Sequence, residues 1–191
     1  MSLVSFIVIA FAFGIYDMLL FRRCAEVSPV RLSAGLVMTA GVAIIHALFL
    51  WLGAALGNVL RFELSNDTLA FQNANCWVFF ALSLFVAGRS FFPYLRRESK
   101  LPVFSLASFA SVFLMAIATG INILLVGIGI GYADVELHTH RCLWPMLFLS
   151  MLLGYLGVMF GRQHVKVRHR RWAFVSAVMI LGVAIASFFS F

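Results

Sequence analysis

Six apolar runs of roughly membrane-spanning length dominate this chain, and they leave it little choice of fold. The hydrocarbon core of a bilayer is crossed by about 20 apolar residues of helix. Runs of that kind fall at 3–21, 33–57, 75–95, 103–131, 143–161 and 172–190 of the 191 residues. The expectation is an all-α integral membrane protein with six transmembrane helices. Charged residues make up 11% of the chain and hydrophobic ones 63%, where a soluble domain carries about 25% charged. No polar stretch is long enough for a second domain, so residues 1–191 read as one membrane domain. No Lys or Arg precedes the first run. A cleaved signal peptide starts with a basic segment, so this run reads as a retained span.

The net charge of +7 is distributed in alternation. Loops 1–2, 3–4 and 5–6 hold eleven Lys and Arg, including Arg22, Arg97, Lys100 and Arg170, whereas loops 2–3 and 4–5 hold two, Arg61 and Arg141. Positive loops stay in the cytoplasm, which predicts both termini outside. The basic run "HVKVRHRR" (164–171) then reads as a topology determinant beside anionic headgroups, and nucleic acid is not an expected partner.

Against this background Asp17, in "FAFGIYDMLLF", stands out. An aspartate in mid-helix costs about 2.5–3.5 kcal/mol on insertion scales. Intramembrane acids therefore mark functional sites or buried pairs. The structural alternative is a buried acid paired with Arg89, inside the third run, or with backbone.

The two halves of the chain echo each other. "GIYDMLL" (14–20) matches "TGINILL" (119–125), setting Asp17 opposite Asn122. Gly53 and Gly57, followed by Arg61, match Gly157 and Gly161, followed by Arg162. "FVAGRSFF" in the third run matches "GVAIASFF" in the sixth. Three spans per half force the halves into opposite orientations. The expectation is two inverted three-helix repeats, about 1–97 and 101–191, with a substrate site where they meet near the midplane. The fourth run, with Gly120, Gly127, Gly129 and Gly131, leaves two readings open: a broken helix or close packing through small residues.

Carried on "IAFAFGIYDMLL", "AIATGINILLVGIGIG" and "GYLGVMFGR", the chain resembles the small six-span manganese efflux pumps (MntP type) of the lysine-exporter-like superfamily. The resemblance implies a multi-pass protein of the bacterial inner membrane that exports divalent manganese and needs no cofactor. Of the aspartates in that family's first and fourth spans, the first is present as Asp17 and the second is replaced by Asn122. The acidic position of its second span falls at Ala43.

Mn²⁺ seeks hard oxygen ligands. With Asp17 as the one carboxylate inside a predicted span, Asn122 and Thr119 are the candidate oxygen partners, and His46, one turn beyond Ala43, can bind a metal or carry a proton. The expected function is export of a divalent cation, manganese foremost, in exchange for protons. The alternatives are a same-fold transporter of a monovalent cation or small amino compound, and a non-transporting paralogue that has lost its acids. Partners are the metal cation and the lipid bilayer, with a homo-oligomer left open.

Two outer features remain. "DVELHTH" sets Asp134, Glu136, His138 and His140 in alternation, a metal-attracting mouth or a solvated loop. Cys76 and Cys142 start two spans on that side. No nucleophile triad, phosphate-binding glycine loop or redox motif is present, so the chain does not read as an enzyme.

Overall fold

The computed structural model describes residues 3–64, 77–89, 104–133, 139–165 and 169–189. Six helices account for the regular structure among them: α1 (Leu3–Val27), α2 (Leu32–Leu64), α3 (Trp77–Arg89), α4 (Phe109–Ala133), α5 (Thr139–Arg162) and α6 (His169–Phe189). Four of them, α1, α2, α4 and α5, are long and apolar enough to cross a membrane, and the apolar stretches of α3 and α6 are shorter. At about 1.5 Å per residue the 33-residue α2 is near 50 Å long. It exceeds the hydrocarbon thickness and must tilt or protrude.

Local chemistry sets the ends. Pro29 disfavours helical geometry at Ser28, and α1 stops one residue earlier, with Ser28 N–H donating to Cys24 O. The fourth span starts at Phe109 rather than 103 because residues 104–108 form a turn. There Ser108 accepts the Ser111 N–H at its hydroxyl and the Val112 N–H at its carbonyl, as a helix cap does. Helix α5 closes with His164 in the left-handed region at φ 52°. His164 N–H bonds Gly161 O and Val165 N–H bonds Phe160 O, the paired bonds of a Schellman ending. The Val165 carbonyl then accepts from Arg22 Nε at 2.8 Å, tying the end of α5 to α1.

Helix α1 packs against α5 and α6, and α2 packs against α4 and α5. Two of these pairings rest on glycine. Gly53 and Gly57 of α2 lie on the Leu124 and Ile128 carbonyls of α4, and Gly157 and Gly161 of α5 lie on the Met18 and Arg22 carbonyls of α1. A Cβ at any of the four would strike a backbone oxygen, so only glycine lets these backbones approach so closely. Gly127 and Gly131 of α4 serve the same packing on the Leu50 and Ala54 carbonyls of α2, Gly120 meets the Phe49 ring, Gly129 meets Phe79 of α3, and α4 is continuous from Phe109 to Ala133. The bundle's outer surface is apolar, with Leu48, Trp51, Phe113 and Phe148 exposed. That is the face a helix turns to lipid tails.

Asp134, Glu136, His138 and Cys76 lie outside the described residues, as do the side chains of His140 and Cys142. The loop cations Arg96, Arg97, Lys100, Lys166 and Arg168 lie outside them too.

Candidate functional site

A polar cluster sits inside the bundle. Asp17, His46, Thr119, Asn122, Ser150 and Ser176 are all buried, and they come from α1, α2, α4, α5 and α6. Asp17 is 2% exposed and His46 is fully enclosed. Asp17 is the one buried carboxylate among the described residues.

Asp17 Oδ2 accepts a hydrogen bond from the Ser150 hydroxyl and lies 3.1 Å from His46 Nδ1. Ser150 Oγ lies 3.3 Å from the same ring nitrogen. The other nitrogen, Nε2, lies 2.8 Å from Thr119 Oγ1. Thr119 in turn reaches Met115 O, four residues back, at 2.9 Å. The Thr119 hydroxyl proton is thus committed to its own helix, so Thr119 accepts from His46 Nε2–H. The Ser150 proton is likewise committed to Asp17. A proton placed between Nδ1 and Oδ2 would complete this chain of bonds. Only one of the two ring nitrogens is therefore directed at the carboxylate, and Thr119 decides which.

Asn122 stands beside this chain. Its Oδ1 is buried with no hydrogen-bond partner, and an unpaired buried acceptor costs about 1–3 kcal/mol. It lines one small cavity together with Asp17, His46, Thr119 and Ser176. Ser176 donates to the Ala12 carbonyl at 2.8 Å, which fixes α6 against α1 at this level. The cavity is too tight for a water-sized sphere.

The four residues expected to form the site are therefore gathered: Asp17, His46 and Thr119 in one bonded chain, Asn122 on the same cavity wall. Arg89 is exposed and makes no ion pair with Asp17, whose ionisable neighbour is His46. Sequence reasoning did not pick out Ser150. A signal for it existed, because the offset of 104 residues from Gly53 to Gly157, and from Gly57 to Gly161, also carries His46 onto Ser150. A metal site made here has few strong ligands. Among the described residues no three His, Cys, Asp or Glu side chains come together. One carboxylate and one imidazole would be supplemented by neutral oxygens.

The family model described as "Putative manganese efflux pump" matches residues 29–188. The chain belongs to this family. As a member of the manganese efflux pump family it holds His46, Thr119, Asn122 and Ser150 inside the matched region, while Asp17, on α1, precedes it. A Bacteroides thetaiotaomicron protein named "Putative manganese efflux pump MntP" is 32% identical over 93 residues, 47% of this chain and 48% of that protein. A Bacteroides fragilis protein of the same name is 26% identical over 138 residues, 68% of this chain and 66% of that protein. The aligned part thus spans about half of the first relative and just under two thirds of the second. No solved structure matches the chain.

Proposed function

We propose that this protein is a secondary transporter of the bacterial inner membrane that exports a divalent metal cation, manganese foremost. The observation that carries this reading is the buried Asp17–His46 pair at the junction of the helices, in a chain of this family. A buried ionisable pair in a spanning bundle is costly. It is retained where a charge must pass.

Asp17 supplies the negative charge. Asn122 Oδ1, Ser150 Oγ and His46 Nδ1 are the neighbouring donors that can turn toward a cation. The proton held between Asp17 and His46 is the natural counter-charge, released when the cation enters and regained when it leaves. This is the reading of exchange with protons, in chemical terms.

An inverted repeat suits this site. Exchanging α1 with α4 and α2 with α5 turns the Gly157–Met18 contact into the Gly53–Leu124 contact, and Gly161–Arg22 into Gly57–Ile128. The repeat alignment pairs His46 with Ser150 and, one residue out of step with these contacts, Asp17 with Asn122, so both pairs would lie about the repeat axis. Rocking one half against the other would then open the site to alternate sides, with the basic loops in the cytoplasm and both termini outside.

Manganese uptake into everted vesicles tests the proposal. Vesicles from cells expressing the protein should take up Mn²⁺ when a proton gradient is imposed, and control vesicles should not. Equal uptake in both, with the protein present in the membrane, would overturn it.

A further inference from the structure

We propose that His46 sets the metal preference of this site, turning it toward late first-row divalent ions, Co²⁺ to Zn²⁺, relative to Mn²⁺. The inference rests on the reading of the Asp17 cluster as a cation site and adds to it which ions the site holds best.

The geometry comes first. His46 Nδ1 lies 3.1 Å from Asp17 Oδ2 and 3.3 Å from Ser150 Oγ, and Ser150 in turn touches Asp17. These three atoms, one from each of α1, α2 and α5, form a small triangle. In an octahedral site with bonds of about 2.1 Å, neighbouring ligand atoms lie about 3 Å apart. The two edges that meet at His46 Nδ1 match that spacing, so one nitrogen and two oxygens are gathered within reach of a single ion. Asn122 Oδ1, buried and without a partner, lines the cavity that Asp17 and His46 also line. It is an unused oxygen donor on the same wall.

The supporting bonds come second. Thr119 accepts from His46 Nε2–H and donates its own hydroxyl hydrogen bond to Met115 O. That chain fixes the ring and leaves Nδ1 as the nitrogen facing the other two donors. Outer hydrogen bonds of this kind orient a metal-binding histidine and raise its basicity.

The donor set then decides the preference. Imidazole suits Co²⁺, Ni²⁺ and Zn²⁺, whereas Mn²⁺ is served by carboxylate, carbonyl and water. At Asp17 the cluster has one carboxylate, and Ala43 and Asn122 add no charge. The imidazole is thus the strongest neutral ligand present, and its contribution rises from Mn²⁺ to Ni²⁺.

The test is competition binding on the purified full-length protein in detergent, titrated with Mn²⁺ alone, Ni²⁺ alone and Co²⁺ alone. Wild type should bind Ni²⁺ about 100-fold more tightly than Mn²⁺. His46→Asp should lower the Ni²⁺/Mn²⁺ preference about tenfold or more, through weaker Ni²⁺ and stronger Mn²⁺ binding. His46→Asn, which keeps a neutral polar side chain if the added charge of His46→Asp prevents folding, should lose more Ni²⁺ than Mn²⁺ affinity. A preference unchanged in the folded variants would overturn this inference and leave the cation site standing. Absence of binding by all three ions to wild type would overturn both.

Discussion

The Ser150 hydroxyl donates to the Asp17 carboxylate across 133 residues of chain, joining α5 to α1 inside the bundle. This bond fixes one oxygen of the one buried carboxylate among the described residues and leaves His46 Nδ1 to approach the same atom from α2. Removing Ser150 should therefore loosen the site without changing its charge. Ser150→Ala should cost about 1–3 kcal/mol of stability and lower transport while leaving the protein inserted. Vesicle uptake together with thermal unfolding in detergent checks this. Wild-type stability and uptake in the variant would mean that the bond contributes nothing.

Asp17→Asn should abolish Mn²⁺ transport and Mn²⁺-induced thermal stabilisation. The variant should still insert, since it removes a mid-helix insertion penalty of about 2.5–3.5 kcal/mol. Its neighbour is a histidine and not an arginine or lysine, so the substitution leaves no permanent cation behind. A folded variant that keeps its metal-induced stabilisation would place the cation elsewhere.

Asn122→Asp should act in the opposite sense. It puts a second carboxylate on the cavity wall, at a position where Oδ1 is already buried and unpaired. Two carboxylates neutralise a divalent ion that one leaves at a net charge of +1. Thermal-shift titration with Mn²⁺ should give a larger shift at lower metal concentration than in wild type. An equal or smaller shift would count against Asn122 as part of the site.

The glycine contacts predict a contrast within one bundle. Gly57→Ala and Gly161→Ala push a methyl onto the Ile128 and Arg22 carbonyls. Each should cost about 1–3 kcal/mol through overpacking. Gly182→Ala, in α6, meets nothing within 4 Å and should be neutral or stabilising by up to about 1 kcal/mol through helix propensity. Unfolding in detergent compares the three. Equal effects at all three positions would show that close approach does not matter here.

Reporter fusions address orientation. A reporter placed after Lys100 should be cytoplasmic and one placed after Phe191 external, because the six-span reading sets the basic loops on one side and three further crossings after Lys100. Both reporters on one side would end the six-span reading and the inverted repeat with it.

Hydropathy is local and bilayer thickness is fixed, so the helices were legible residue by residue: each of the six apolar runs contains one. The cost of a lone acid in an apolar run likewise singled out Asp17, and polarity within the second and fourth runs singled out His46, Thr119 and Asn122. What these residues bind to was not local. Arg89 and His46 were both available in the sequence, and only the packing of α2 beside α5, with α5 beside α1, decided for His46. Ser150 carried no signal of its own, because a serine costs little in an apolar helix and commonly serves as packing glue. The α4 glycines suited a break or a seam equally well. The carbonyls of α2 lying against Gly127 and Gly131 made the seam, since small residues let two backbones meet and a continuous helix keeps its own hydrogen bonds satisfied.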